Sequence, residues 1–160
     1  MQLASALGAR VIATTSNPSK IEALRELGAD EVIDYKADPA WGETARALTK
    51  GRGVDRVVEV GGPTSLAQSF KAVALGGQVS LLGVLGGFEG GLDVMSLFMS
   101  QASLKPIPTG SRQDLEDMLR VMAQHRLHPV IDSFFAFEDA PAAFAHYGER
   151  QVFGKVVIRH

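Results

Sequence analysis

The chain has no cysteine among its 160 residues. Disulfides and thiolate metal sites are therefore excluded within it, and the composition fits a reducing compartment. No uninterrupted apolar run approaches the roughly 18 residues of a membrane helix, and the amino end lacks the basic start and apolar stretch of a secretory signal. The expectation is a cytoplasmic chain without a membrane partner. Excess charge of one sign is missing as well: 16 basic and 18 acidic residues are interspersed, for a formal charge of -2 and a pI near 6.1. Without a basic tract there is no electrostatic footprint for nucleic acid. Low-complexity segments and internal repeats beyond short βα steps are also lacking.

What is present is 46% apolar content, enough for one ordinary domain with a core. Residues 8–35 read GARVIATTSNPSKIEALRELGADEVIDY. They hold a short strand at 11–13, a hydroxyl-rich turn, an amphipathic helix over 18–27 and a strand over 31–34, the grammar of a parallel α/β sheet. The same alternation predicts a helix at 39–50, a buried strand at 54–60, a helix at 64–75 and a strand at 78–83 entering the glycine-rich GVLGGFEGG. Beyond Asp93 come a short Met- and Phe-rich helix, a strand at 103–107 and a helix at 113–125. That last helix places Leu115, Met118, Leu119 and Met122 on one face, which reads as core. Strands at 130–137 and 155–159 flank a helix at 139–147 and have no evident place among the parallel strands.

Laid end to end, GARVIATTSNPSK, LGADEVIDY, GVDRVVEVGG, GGQVSLLG, TGSRQDLEDM and FGKVVI resemble the cofactor-binding half of the medium-chain dehydrogenase/reductase superfamily. The resemblance is to its NADPH quinone oxidoreductase and zinc-type alcohol dehydrogenase-like members. It implies an α/β fold, a Rossmann-like doubly wound parallel sheet of strand order 3-2-1-4-5-6. Against that pattern the first strand and the glycine-rich G-x-G-x-x-G turn, which binds pyrophosphate through backbone amides and a helix N-terminus, are absent. So is the catalytic domain that the resemblance implies. The expected organisation is a truncated dinucleotide-binding domain at 1–129. A tail at 130–160 would pack with the missing module and, alone, expose Val130, Phe134, Phe135, Val156 and Ile158. Loss of the central strand leaves its neighbours facing each other across two spacings of about 4.8 Å. The expectation is that they close up and pair, or that another chain fills the vacancy; a homo-oligomer is expected.

Ligands in open parallel sheets sit beyond the carboxyl ends of the strands, which points first to the turn after residue 13. Capping explains Ser16, Asn17, Pro18 and Ser19. It does not explain Lys20, because a cation in a first helical turn opposes the helix dipole, whereas a 2′-phosphate would welcome it. The strand ends Thr14-Thr15-Ser16, without the Asp or Glu that would accept hydrogen bonds from a free ribose 2′-hydroxyl. NADP(H) is therefore expected over NAD(H), with Thr15, Ser16 and Lys20 near the phosphate. The resemblance adds Tyr35, since a lysine and a tyrosine at this separation bracket the phosphate in quinone reductases.

Val60 and Gly61, and Leu82, Gly83 and Val84, end two successive strands. Alone each is a turn glycine after a buried strand; the resemblance implies that their backbone lies along the nicotinamide ribose and carboxamide. Ser111 and Arg112 read equally as a helix cap with a solvated charge or, by resemblance, as groups near the cofactor, and Arg150 is a lesser candidate. His125, His128, His146 and His160 offer no third ligand for a zinc that wants four, so zinc is not supported by this chain. Asp132, Glu138 and Asp139 read as edge and cap acids, and Met95, Phe98 and Met99 as core or dimer contacts. The expected function is NADPH-dependent hydride transfer to a carbonyl, quinone or enone, represented here by its cofactor domain without catalytic residues. The alternative is a non-catalytic nucleotide-binding or oligomerisation module.

Overall fold

The computed structural model describes residues 1–149 and 151–160; Arg150 lies outside the described residues. Two compact units divide the chain, Met1–Asp117 and Met118–His160. In the first, helix α1 (Gln2–Ala6) precedes strand β1 (Ile12–Thr15). Asn17 then caps a 3-10 turn (Pro18–Lys20) through Ser19 N–H at 3.0 Å, and the turn runs on into α2 (Ile21–Glu26). Strand β2 (Glu31–Asp34), helix α3 (Trp41–Leu48) and strand β3 (Val54–Glu59) follow. After a 3-10 turn at Gly62–Thr64 come α4 (Leu66–Ala72), β4 (Val73–Leu81), α5 (Val94–Ser100) and β5 (Ser103–Pro106).

Every strand pair is parallel. β1 runs beside β2 with Ala13 opposite Val32 and Thr15 opposite Asp34. β3 runs beside β4, and β4 beside β5, with Val57, Val79 and Leu104 in line. The sequence places the end of α4 at residue 75, but the helix stops at Ala72 and Val73 is already extended. Two causes are visible: a β-branched residue favours the strand, and Val73 is fully buried in the core with Leu66, Phe70 and Val79. A second cluster joins Ile33, Ala45 and Ala72 to Ile12, Trp41, Leu48, Val54 and Val57. β1 and β3 therefore share a core.

They do not share a ladder. Among the described residues β1 pairs only with β2, and β3 only with β4, so the expected closing of the central gap does not take place. The helix layer explains why. Gly42 N–H on α3 donates to Gln68 Oε1 on α4 at 3.0 Å. The Arg46 guanidinium reaches the Lys71, Gly51 and Arg52 carbonyls at 2.8, 3.2 and 3.1 Å, and that of Val73. Moving β1 onto β3 would break these contacts and the packing of Ala45 and Ala72 beneath both strands.

Helix α6 (Arg112–Gln124) crosses the boundary between the units. Its apolar face is not core as the periodicity suggests: Leu115, Met118 and Leu119 are exposed, and Met122 only half-buried. Met95, Phe98 and Met99 on α5 are exposed too, so of the two readings given them core is excluded. The second unit also holds β6 (Ile131–Ala136), α7 (Ala140–Gly148) and β7 (Lys155–Arg159). β6 and β7 form their own parallel pair, Phe134 opposite Val157, with Ala143 of α7 buried. Of the apolar residues expected to be bare here, Phe134 is exposed, under the Arg159 guanidinium at 3.7 Å. Val130, Phe135, Val156 and Ile158 are half-buried. Asp132 accepts from Phe153 N–H at 2.8 Å and faces His146 Nε2 at 3.0 Å. No helix among the described residues is long and apolar enough to cross a membrane.

Candidate functional site

The carboxyl ends of β1 and β2 form one corner of the candidate site. Thr15 is buried, and its hydroxyl bonds Asn17 N–H at 3.1 Å and the Asn17 carbonyl at 3.3 Å, which fixes the turn that carries Ser16. Tyr35 N–H donates to the Thr15 carbonyl at 3.0 Å. Tyr35 therefore leaves β2 directly beside the end of β1, with its ring exposed. Lys20 closes the 3-10 turn that follows and is half-buried. The carboxylate nearest in register, Asp34, turns one oxygen back to the Lys36 and Ala37 N–H groups at 2.9 and 3.3 Å. Thr15, Ser16, Lys20 and Tyr35 thus gather at the ends of two paired strands.

The ends of β3 and β4 form a second corner, where backbone meets backbone. Leu82 N–H donates to the Glu59 carbonyl at 2.8 Å, Leu85 N–H to Val60 at 2.9 Å and Gly86 N–H to Gly61 at 2.9 Å. Val60, Gly61, Leu82, Gly83 and Val84 are thereby brought together. The glycines are also required from within. A Cβ on Gly61 would lie 2.2 Å from Ser65 Oγ, and one on Gly62, whose φ is +79°, would lie 2.9 Å from a Val84 methyl. The side chains left at the surface are Val60 and Leu82, both exposed, with Val84 half-buried.

Beneath this corner sits a residue that the sequence reading passed over. Glu59 is 4% exposed. Its Oε1 accepts from Gly61 N–H at 2.6 Å, Gly62 N–H at 3.0 Å and the Ser65 hydroxyl at 2.6 Å, and its Oε2 from the Ser69 hydroxyl. Buried carboxylates need such partners. The available signal was a single acid inside the apolar strand VVEV, where periodicity alone places a hydrophobe.

Ser111 and Arg112 are engaged in their own helix. The Ser111 N–H and hydroxyl both donate to Asp114 Oδ2 at 2.7 Å, and Asp114 N–H returns to Ser111 Oγ at 3.1 Å, a reciprocal cap. The Ser111 backbone N–H, and then its hydroxyl, hold the Asp114 carboxyl below its usual range. Arg112 is 91% exposed and paired with Glu116 at 2.8 Å. Among the described residues no three His, Asp or Glu side chains group as metal ligands. His146 is taken by Asp132, and the His160 ring lies 5.9 Å from that of Phe137.

Comparison with known proteins places this architecture. Residues 1–124 match the family model described as zinc-binding dehydrogenase. A zinc-type alcohol dehydrogenase-like protein of Schizosaccharomyces pombe is 33% identical over 99% of this chain and 47% of its own length. A solved NAD-dependent alcohol dehydrogenase superposes with a TM-score of 0.91 at 36% identity, over 99% of this chain and 46% of its own. A mycobacterial protein solved with NADPH gives 0.84 at 26% identity, over 99% and 52%. The chain thus spans about half the length of the relatives it matches. It belongs to the zinc-binding dehydrogenase family and carries the Rossmann-type fold of the medium-chain dehydrogenase/reductase superfamily.

Proposed function

We propose that the chain is the cofactor-holding part of an NADPH-dependent oxidoreductase that reduces a carbonyl, quinone or enone. The observation that carries the cofactor choice is the corner at β1 and β2. There Lys20 and Tyr35 flank a strand end, Thr14-Thr15-Ser16, that presents hydroxyls where an NAD site presents a carboxylate. In this reading Ser16, Lys20 and Tyr35 bind the 2′-phosphate, and Thr15 holds their turn in shape. Gly61, Leu82 and Val84 support the nicotinamide, which supplies the hydride when bound. Val60 and Gly83 complete that wall, and Ser111 and Arg112 approach from α6. The zinc in the family's description finds no fitting donors in this stretch, which has no cysteine and no acid or histidine cluster among the described residues. No metal step is assigned to it.

Groups that move protons and bind the acceptor belong to the part of the relatives that these residues do not span. The tail at 130–160 packs against that part, and the protein works as a cytoplasmic homo-oligomer. A second reading, NAD specificity, is favoured by the NAD-dependent alcohol dehydrogenase that matches at 36% identity. Fluorescence titration with NADPH and NADH separates the two. A charge-assisted contact with the phosphate is worth about tenfold or more in affinity. NADPH should bind tighter by at least that factor, and Lys20→Ala should erase most of the difference. Equal affinities refute the 2′-phosphate site, and a chain that binds neither dinucleotide refutes the cofactor reading.

A further inference from the structure

We propose that Glu59 is a positioning residue for the nicotinamide end of the cofactor, an inference that rests on the reading of the β3 and β4 ends given above. Glu59 ends β3 directly after Val57 and Val58, is nearly fully buried, and its four hydrogen-bond donors come from Gly61, Gly62, Ser65 and Ser69. A hydrophobe would fill the same place in the strand without the desolvation that a carboxylate brings. What the carboxylate adds is direction. Two successive N–H groups, those of Gly61 and Gly62, must turn inward to one oxygen.

With those amides inward, the carbonyls of Val60 and Gly61 meet the Leu85 and Gly86 N–H groups, each at 2.9 Å. Gly62, in its left-handed conformation, is pressed against Val84. The Glu59 backbone carbonyl completes the set by holding Leu82 N–H at 2.8 Å. Glu59 therefore governs Gly61, Leu82 and Val84 together, and it does so from below the surface that a nicotinamide ring would touch. The corner at β1 and β2 has its own hydrogen bonds, through Thr15, Asn17 and Tyr35, none of which passes through Glu59.

That separation supplies the test. Affinities for NADPH and for adenosine 2′,5′-bisphosphate, which lacks the nicotinamide end, are measured on the 160-residue chain and on Glu59→Ala and Glu59→Gln. Glu59→Ala should weaken NADPH about tenfold and the bisphosphate less than about twofold, the loss being confined to charge-assisted bonds under one corner. Glu59→Gln should restore NADPH to within about threefold, because an amide oxygen still accepts from both glycines while its NH2 donates to Ser69. Amide proton shifts of Gly61 and Gly62 in the free chain should move upfield in Glu59→Ala and return part-way in Glu59→Gln. If Glu59→Ala does not fold, Ser65→Ala removes one donor and carries the same comparison, with a smaller NADPH loss and an unchanged bisphosphate affinity.

Equal losses for the two ligands would make Glu59 a fold stabiliser only, and no loss for either would remove it from the site; both overturn the proposal while leaving the cofactor reading in place. A wild-type chain that binds neither ligand overturns that reading, and this inference with it.

Discussion

Arg46 is the side chain that ties the helix layer under the two half-sheets to four backbone carbonyls. Its guanidinium donates to four carbonyls, those of Lys71, Val73, Gly51 and Arg52, and so ties α3 to the end of α4, the start of β4 and the turn before β3. Alanine in its place leaves four carbonyls to find water, and the two on Lys71 and Val73 lie where α4 stops and a fully buried valine begins. Hydrogen bonds to a charged group are worth about 1.5–3 kcal/mol each when well buried. Arg46 is half-buried and its bonds share one side chain, so the sum is discounted to about 2–4 kcal/mol, against which alanine's helix propensity returns only a few tenths. Lysine should fail nearly as badly, because a single ammonium cannot span a fork of carbonyls.

The assay is urea unfolding followed by fluorescence of the only tryptophan, Trp41, which packs against the Ile33, Ala45 and Ala72 cluster and so reports this unit. At a slope of about 2 kcal/mol per molar urea, the middle of the usual range, Arg46→Ala should lower the midpoint by roughly 1–2 M. Midpoints for Arg46→Ala and Arg46→Lys both within about 0.2 M of wild type, a shift comparable with ordinary surface substitutions, would show that the helix layer does not depend on this fork.

Three further outcomes test other parts of the account. Gly62→Ala must adopt a positive φ and bring a methyl against Val84, which should cost about 1–3 kcal/mol and weaken NADPH; Gly91→Ala, with open space around it, should be neutral by the same urea assay. The His146 side chain, and after it the Phe153 N–H, hold the Asp132 carboxyl below its usual range. A depressed carboxylate contributes stability that is present above the unfolded value of about 4 and is lost as pH falls through the folded one. Melting temperatures of wild type and Asp132→Asn should therefore differ at pH 5 and converge towards pH 2; a gap constant with pH would contradict this. On α6, Leu115→Gln and Leu119→Gln should leave the unfolding free energy from urea titration within about 0.5 kcal/mol of wild type, as exposed substitutions do, whereas a large loss would mean that this face is covered.

The parallel α/β order was legible because it rests on local signals. Asn17 with Pro18 starts a helix, Gly28 stops one, and short apolar runs separated by about one helix length have the crossover that parallel pairing requires. The end of α4 was not legible. Residues 64–75 have helical composition, and only burial of Val73 and the pull of Arg46 on its carbonyl turn the last three into strand. The α6 face misled for a related reason. Periodicity reports that a helix has an apolar side, not that anything in the same chain covers it, and Leu115 and Leu119 are bare. At the candidate site the strand-end rule nominates both corners, because it needs only the strand topology. It could not find Glu59, whose significance lies in four partners up to ten positions away in sequence.

The unpaired edges of β1 and β3 bear on how the site is built. A sheet whose central ladder is missing would be expected to collapse inward, since unpaired backbone groups away from water are costly. Here the β1 and β3 edges stay unpaired although Ile12, Val54 and Val57 share the Ile33, Ala45 and Ala72 cluster, because the α3–α4 contacts hold the layer beneath both strands. β1 and β2 close on α3 through Ile33 and Ala45, while β3, β4 and β5 close on α4 and α5 through Phe70, Val73 and Val79. The two corners of the site are each shaped by hydrogen bonds of their own. One is fixed by the Thr15–Asn17 turn and the other by Glu59 under Gly61 and Gly62. Each corner has its own local bonds while the β1 and β3 ladder edges stay open, so ligands directed at the two corners should report on them one at a time.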